Sequence, residues 1–150
     1  MKKSDRIQEL LEQLATGPAA GLDPRYTGWF ACFNAQRYYD AHDVLEDLWL
    51  SERGADHAFY KGLIQLAGAF VHLQKQHIRP DHPKDGRRLA PASRLFSLAI
   101  GNLAAYRPMH QGLDVERTLA LAQRFADALA ESSFTTNPWH PDAAPTIELT

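Results

Sequence analysis

Apolar residues recur at helical spacing along almost the whole chain, and this pattern constrains the fold more than any other feature. In the first segment Ile7, Leu10, Leu11 and Leu14 follow the i, i+3, i+4, i+7 pattern of an amphipathic helix, and Gly17–Pro18 predicts its end. The same spacing predicts further helices over residues 24–34, 37–50, 58–76, 91–106 and 114–131. Because no alternating strand pattern of useful length is present, the sequence predicts an all-α protein without a sheet.

Turn signals separate these segments and set the domain organisation. Asp23 followed by Pro24 predicts a helix start, and Pro108 predicts the end of the fifth helix. From Thr135 onward three prolines accompany the apolar anchors Trp139 and Ile147. We therefore expect residues 1–150 to form a single-domain bundle of five or six helices with an extended C-terminal tail over 135–150. The short connection around Gly54 predicts that the third and fourth helices form an antiparallel pair.

Composition excludes several classes of protein. The chain has 150 residues and a net charge of −2, which argues against a general nucleic-acid binder. No run of 18 apolar residues occurs, so no membrane span is expected. Cys32 is the one cysteine, which excludes an internal disulfide and predicts a packed small hydrophobe. We expect a cytoplasmic monomer or homodimer without a nucleic-acid or membrane partner.

The charges are unevenly distributed along the chain. Residues 40–56 contain six acids and one base, whereas residues 75–94 contain six bases and two acids. Solvated helix faces explain most such runs. The alternative is that the two patches meet, either within the fold or across a dimer.

The third helix carries polar residues on its aromatic side. His42, Glu46 and Trp49 fall within about 60° of one another on a helical wheel. Asp40, Asp43 and Asp47 lie on the other side, so the wheel predicts that His42 and Glu46 point inward. Burying either group without a partner is unfavourable.

The fourth helix has a matching stripe. Gln65 and His72 share a face with small residues, namely Gly62, Gly68 and Ala69. We expect this stripe to face the third helix, so that His42, Glu46, Gln65 and His72 converge. His42, Glu46 and His72 match the composition of catalytic zinc or non-haem iron sites, with a divalent metal ion as the cofactor. In a hydrolytic site Glu46 would be a ligand or general base, and Gln65 would orient water or substrate.

Two further interpretations remain open at this point. In a binding or scaffold module the same four residues would form a structural hydrogen-bond network. In a small-ligand receptor the pocket walls would be aromatic, formed by Tyr38, Tyr39, Trp49 and Tyr60. The sequence names no substrate and no partner.

The two helical segments resemble a known family. The pattern consists of FNAQRYYDAHDVLEDLW (residues 33–49) followed by FYKGLIQLAGAFVHLQ (residues 59–74). It is similar to the family catalogued as domain of unknown function 309, over roughly residues 30–107. The resemblance implies a small all-helical domain of a kind found mainly in bacteria and archaea. It implies no activity, and the loop from His77 to Arg88 departs from the family's pattern.

Overall fold

The computed structural model describes residues 2–14 and 21–150. Within these residues there are six α-helices: α1 Lys3–Leu14, α2 Pro24–Asn34, α3 Tyr38–Ser51, α4 His57–Ile78, α5 Leu89–Leu103 and α6 Val115–Glu131. The prediction of an all-α bundle is therefore confirmed. The helix stop expected at Gly17–Pro18 lies outside the described residues.

Local chemistry explains where two of the helices begin. The Asp23 carboxylate accepts a hydrogen bond from the backbone N–H of Arg25 at 2.9 Å, and Pro24 occupies the first helical position. The Asp114 carboxylate caps α6 in the same way by accepting from the N–H of Arg117 at 3.0 Å. In both cases the first turn of the helix gains an acceptor for an otherwise unpaired N–H.

The core is aromatic and centred on α4, which packs against both α3 and α5. Phe70 of α4 contacts Phe33 of α2, Tyr38 of α3 and Phe96 of α5, at ring distances between 5.1 and 5.4 Å. Each such pair adds about 0.5–1.5 kcal/mol beyond the area that it buries. Phe70 thus links three helices through one ring.

The expectation that the chain has no sheet is wrong in one small region. Met109–His110 (β1) and Leu113–Asp114 (β2) pair antiparallel. Gln111 and Gly112 both have positive φ, 47° and 74°, which suits the tight turn of a two-residue hairpin. Two-residue strands are too short to produce an alternating pattern, so the sequence does not indicate them.

After α6 the chain returns across the bundle with only a short 3-10 turn, Pro141–Ala143. Trp139 is buried, and its indole N–H donates to the hydroxyl of Tyr38 at 3.0 Å. The side-chain amide of Asn34 holds both backbone groups of Ile147, accepting from its N–H at 2.8 Å and donating to its carbonyl at 3.0 Å. These contacts fix the last residues against α2 and α3.

Two further observations bear on the sequence expectations. Cys32 is fully buried, and burial raises the pKa of its thiol to about 11, so it packs as a small hydrophobe.

In the described part of the chain, no helix combines the length and apolar character that crossing a membrane requires.

Candidate functional site

The polar pair of α3 lies at the edge of the bundle rather than inside it. His42 Nε2 is 3.8 Å from Glu46 Oε2, and His42 Nδ1 is 3.1 Å from Asp43 Oδ1. The side chains of His42 and Glu46 are 32% and 29% exposed, whereas that of Asp43 is 9% exposed. The wheel therefore assigned the inward positions incorrectly, because Asp43 is the most buried of the three.

Basic residues of α1 cover this acidic face. Lys3 Nζ lies 2.6 Å from Glu46 Oε1, and this hydrogen bond is the main reason why the pKa of Lys3 is raised. Arg6 binds Asp40 at 3.2 Å and also binds Asp43. Asp40, Asp43 and Glu46 of the acidic run thus meet α1, whereas Asp47 binds Arg25 of α2 at 2.9 Å.

The polar stripe of α4 faces α5, which corrects the expectation that it faces α3. Asn102 of α5 donates its side-chain amide to Gln65 Oε1 at 2.7 Å. A Cβ on Gly62 would lie 2.7 Å from Leu103 Cγ, so the absence of a side chain at Gly62 permits the close approach of α5. The small residues therefore serve the α4–α5 contact.

His72 belongs to the same interface, at the end where α5 begins. Arg88 Nη1 lies 3.1 Å from His72 Nδ1, and since a guanidinium only donates, this nitrogen is the acceptor and Nε2 carries the proton. Burial lowers the pKa of His72, and the positive charges of Arg88, Lys75 and Arg94 lower it further. Arg88 also binds Asp85 at 2.5 Å, which fixes the guanidinium beside His72.

The four predicted site residues consequently have separate partners. His42 and Glu46 interact with each other and with α1, whereas Gln65 and His72 interact with α5 and the residue preceding it. Among the described residues, no group of three or more His, Cys, Asp or Glu side chains is arranged to hold a metal ion. The structure therefore does not support a metal site formed by His42, Glu46 and His72.

The four aromatic residues expected to line one pocket also occupy different surroundings. Tyr38 is fully buried in the core, whereas Tyr39 is 59% exposed. The ring of Trp49 lies 5.0 Å from that of His57 at a tilt of 32°, with the ammonium of Lys61 over it, and its indole N–H has no described hydrogen-bond partner. Tyr60 is buried and accepts a hydrogen bond from Gln111.

A groove that the sequence analysis missed lies between α6 and the C-terminal residues. Its volume is about 600 Å³. Apolar contact surface comes mainly from the half-buried Leu121 on one side, with the edge of Ile147 on the other. This volume falls within the range of about 300–1,000 Å³ that is usual for small-molecule sites.

The charged groups of this groove are not equivalent. Arg117 and Arg124 form no ion pair with a described residue, and the guanidinium of Arg124 lies over the ring of Phe125 at 5.5 Å. The carboxylate of Asp114 caps α6, and that of Glu148 accepts from Asn34 at 3.0 Å. Two guanidinium groups are therefore available for a ligand, whereas both carboxylates are engaged.

One wall of this groove can be recognised in the sequence, but the other cannot. Arg117, Leu121 and Arg124 recur at helical spacing, which places them on one face of α6. No pattern in the tail places Ile147 opposite that face, since its position depends on Asn34, more than one hundred residues earlier.

No curated protein and no solved structure matches the chain. One segment of the chain matches a protein-family model. The matching segment spans most of α2, all of α3 and α4, and the two residues that follow, and it includes His42, Glu46, Gln65 and His72. Helix α1 and the groove lie outside it. Residues 27–80 match the family model described as domain of unknown function (DUF309), which confirms the resemblance carried by the two helical motifs.

Proposed function

We propose that the protein is a non-enzymatic binding module that takes an anionic amphipathic small molecule in the groove between α6 and the C-terminal residues. One observation carries this proposal: two guanidinium groups without described ion-pair partners, Arg117 and Arg124, border apolar surface in a groove of about 600 Å³. A carboxylate or phosphate headgroup would bind the guanidinium groups, and an apolar body would lie against Leu121 and Ile147.

Ligand chemistry follows from the charges and from the groove walls. Guanidinium groups donate charge-assisted hydrogen bonds to oxyanions, and these bonds are stronger than those between neutral groups. Each CH₂ of a ligand buried on the apolar surface contributes about 0.8 kcal/mol. Both features are needed, because an anion alone would remain exposed to solvent at these arginines.

In this proposal the four polar residues of α3 and α4 position helices. Gln65 fixes α5 through Asn102, and His72 fixes the start of α5 through Arg88. Glu46 holds α1 through Lys3. Their partners within the fold support this role over catalysis by Glu46 and Gln65.

A hydrolytic role for the pair His42 and Glu46 is the second candidate. It is favoured by the one-third exposure of both side chains and by their separation of 3.8 Å, which leaves an imidazole and a carboxylate accessible to water. Against it, the Glu46 carboxylate is engaged by Lys3.

The binding proposal is tested with decanoate as the probe, by calorimetry on the full chain. We expect saturable binding that weakens at least about tenfold in the variant Arg117→Ala/Arg124→Ala, since the loss of charge-assisted hydrogen bonds amounts to at least about 1.4 kcal/mol. Arg53→Ala is the matched control, because Arg53 is exposed and distant in sequence from the groove.

Two related probes define the required chemistry. Decanol retains the apolar body without the charge, and decyltrimethylammonium reverses the charge, so both should bind more weakly than decanoate. Equal binding of all three probes, or decanoate binding that the double variant leaves unchanged, would exclude the proposed site.

A further inference from the structure

Arg117 and Arg124 stand at two different points along the groove between α6 and the C-terminal residues. They are seven residues apart on one face of α6, which places their Cα atoms about 10 Å apart along the helix axis. The guanidinium of Arg124 lies over the ring of Phe125 at 5.5 Å, so it stays near its own turn of the helix. A small anion bound at one of these arginines therefore leaves the other without an acceptor.

The surface between the two arginines is apolar. Leu121 lies about one helical turn from each of them and is half-buried, and the exposed Ala120 lines the groove beside it. CH₂ groups of a ligand can cover this surface, whereas a charged group placed here would lose water without gaining a partner. The wall formed by α6 thus presents a cation, an apolar surface and a second cation in one line.

The opposite wall is held alongside these residues at two points. Asn34 binds both backbone groups of Ile147, and the carbonyl of Gly112 accepts from the N–H and the hydroxyl of Thr150 at 2.8 and 3.1 Å. The residues that line this wall extend from Pro145 to Thr150, which is long enough to follow two turns of α6. The groove can therefore hold an extended ligand along the line of the two arginines.

The two carboxylates of the groove do not neutralise these arginines. Asp114 accepts from the backbone N–H of Arg117 as the cap of α6, and Glu148 accepts from the side-chain amide of Asn34. Each guanidinium therefore keeps its positive charge for a separate anionic group of the ligand.

We infer that the ligand of this groove is a linear dianion, with an anionic group at each end of an apolar chain, as in an α,ω-dicarboxylate of about ten carbons. The inference rests on the proposed binding function and goes beyond it by giving each guanidinium its own carboxylate. One carboxylate binds Arg117, the other binds Arg124, and the CH₂ groups between them cover Leu121. Decanedioate has the required length, because its two carboxylates in the extended chain are separated by about two turns of an α-helix.

The test compares decanedioate with decanoate by calorimetry on the full chain, at about pH 7.5, where every carboxyl group of the probes is ionised. We expect the wild-type chain to bind decanedioate at least about tenfold more tightly, because the second carboxylate adds charge-assisted hydrogen bonds. The affinity for decanedioate should fall at least about tenfold in Arg117→Ala and in Arg124→Ala alike. Arg53→Ala is the matched control: it removes the same charge from an exposed residue that does not line the groove, and it should leave both affinities unchanged.

A shorter diacid tests the spacing of the two arginines. Hexanedioate carries the same two charges on a chain that is too short to join arginines two helical turns apart. The inference is overturned if hexanedioate binds as tightly as decanedioate, since both arginines would then converge on one point. It is also overturned if either arginine variant leaves decanedioate binding unchanged.

The decanoate measurement separates this inference from the proposed function. If decanoate binds in an arginine-dependent way and decanedioate binds no more tightly, the inference is overturned and the binding module stands. If neither probe binds, both are overturned. Decanedioate binding without measurable decanoate binding supports the inference, because the second carboxylate is then required.

Discussion

The interfaces α4–α5 and α1–α3 both contain polar residues, but these residues differ in their exposure to solvent. Between α4 and α5, Gln65 and His72 meet partners beside buried apolar residues such as Leu103. Between α1 and α3, the ion pairs of Lys3 and Arg6 lie at the solvent edge. The same residue types therefore bridge two helices beside the buried core at one interface and form exposed ion pairs at the other.

The largest loss of stability is expected from adding a side chain at Gly62, where α4 and α5 approach each other closely. Gly62→Ala places a methyl group 2.7 Å from Leu103 Cγ, and since Leu103 is fully buried, either its side chain or α5 must shift. We expect the free energy of unfolding to fall by about 1–3 kcal/mol, measured by urea denaturation. Gly68→Ala is the control: its Cβ would meet only the end of Leu95 at 3.2 Å, and alanine favours the helix by up to about 1 kcal/mol. Equal losses in both variants would contradict the close-approach argument.

Removing the polar bridge between α4 and α5 should have a smaller effect. Gln65→Ala leaves the side-chain amide of Asn102 without its acceptor in a partly buried position. We expect a loss of about 1 kcal/mol in chemical denaturation. Gln123→Ala, on the exposed face of α6, should change stability by less than about 0.5 kcal/mol. If the two variants are equally stable, Gln65 does not position α5.

The pH dependence of stability tests whether His72 lies in the same interface. Because the pKa of His72 is lowered in the folded protein, the unfolded chain binds the proton more readily. Stability should therefore be retained above the unfolded value of about 6.5 and decrease as the pH falls below it. His72→Gln should lose less stability than the wild-type chain over this interval, in denaturation curves recorded between about pH 7 and 5. A wild-type curve with the same pH slope as the variant would contradict the assignment.

The smallest effect is expected at the α1–α3 edge. Lys3→Ala removes an ion pair that is exposed on both sides, so the free energy of unfolding should change by about 0–1 kcal/mol. The difference from the wild-type chain should disappear in high salt. A loss comparable to that of Gly62→Ala would contradict the small contribution expected from this exposed ion pair.

Helical periodicity predicted the helices well, because each buried face repeats within one segment. Helix α2 begins and ends at the expected residues, and α6 begins one residue after the expected start. The partner of each polar face was not predictable in the same way. His42, Glu46, Gln65 and His72 each lie on a recognisable stripe, but the neighbour of that stripe depends on packing between segments far apart in sequence. Helix α1 supplied the cations for α3, and Asn34 placed the tail that forms one wall of the groove.

Chemical-shift mapping by NMR tests the central claim, that ligands bind in the groove rather than at the polar residues of α3 and α4. Decanoate is titrated into the isotopically labelled full chain, and the amide shifts are followed by residue. We expect the largest shifts in residues 113–124 and 146–150, with little change around His42, Glu46, Gln65 and His72. Shifts concentrated around those four residues, with residues 113–124 unchanged, would contradict it.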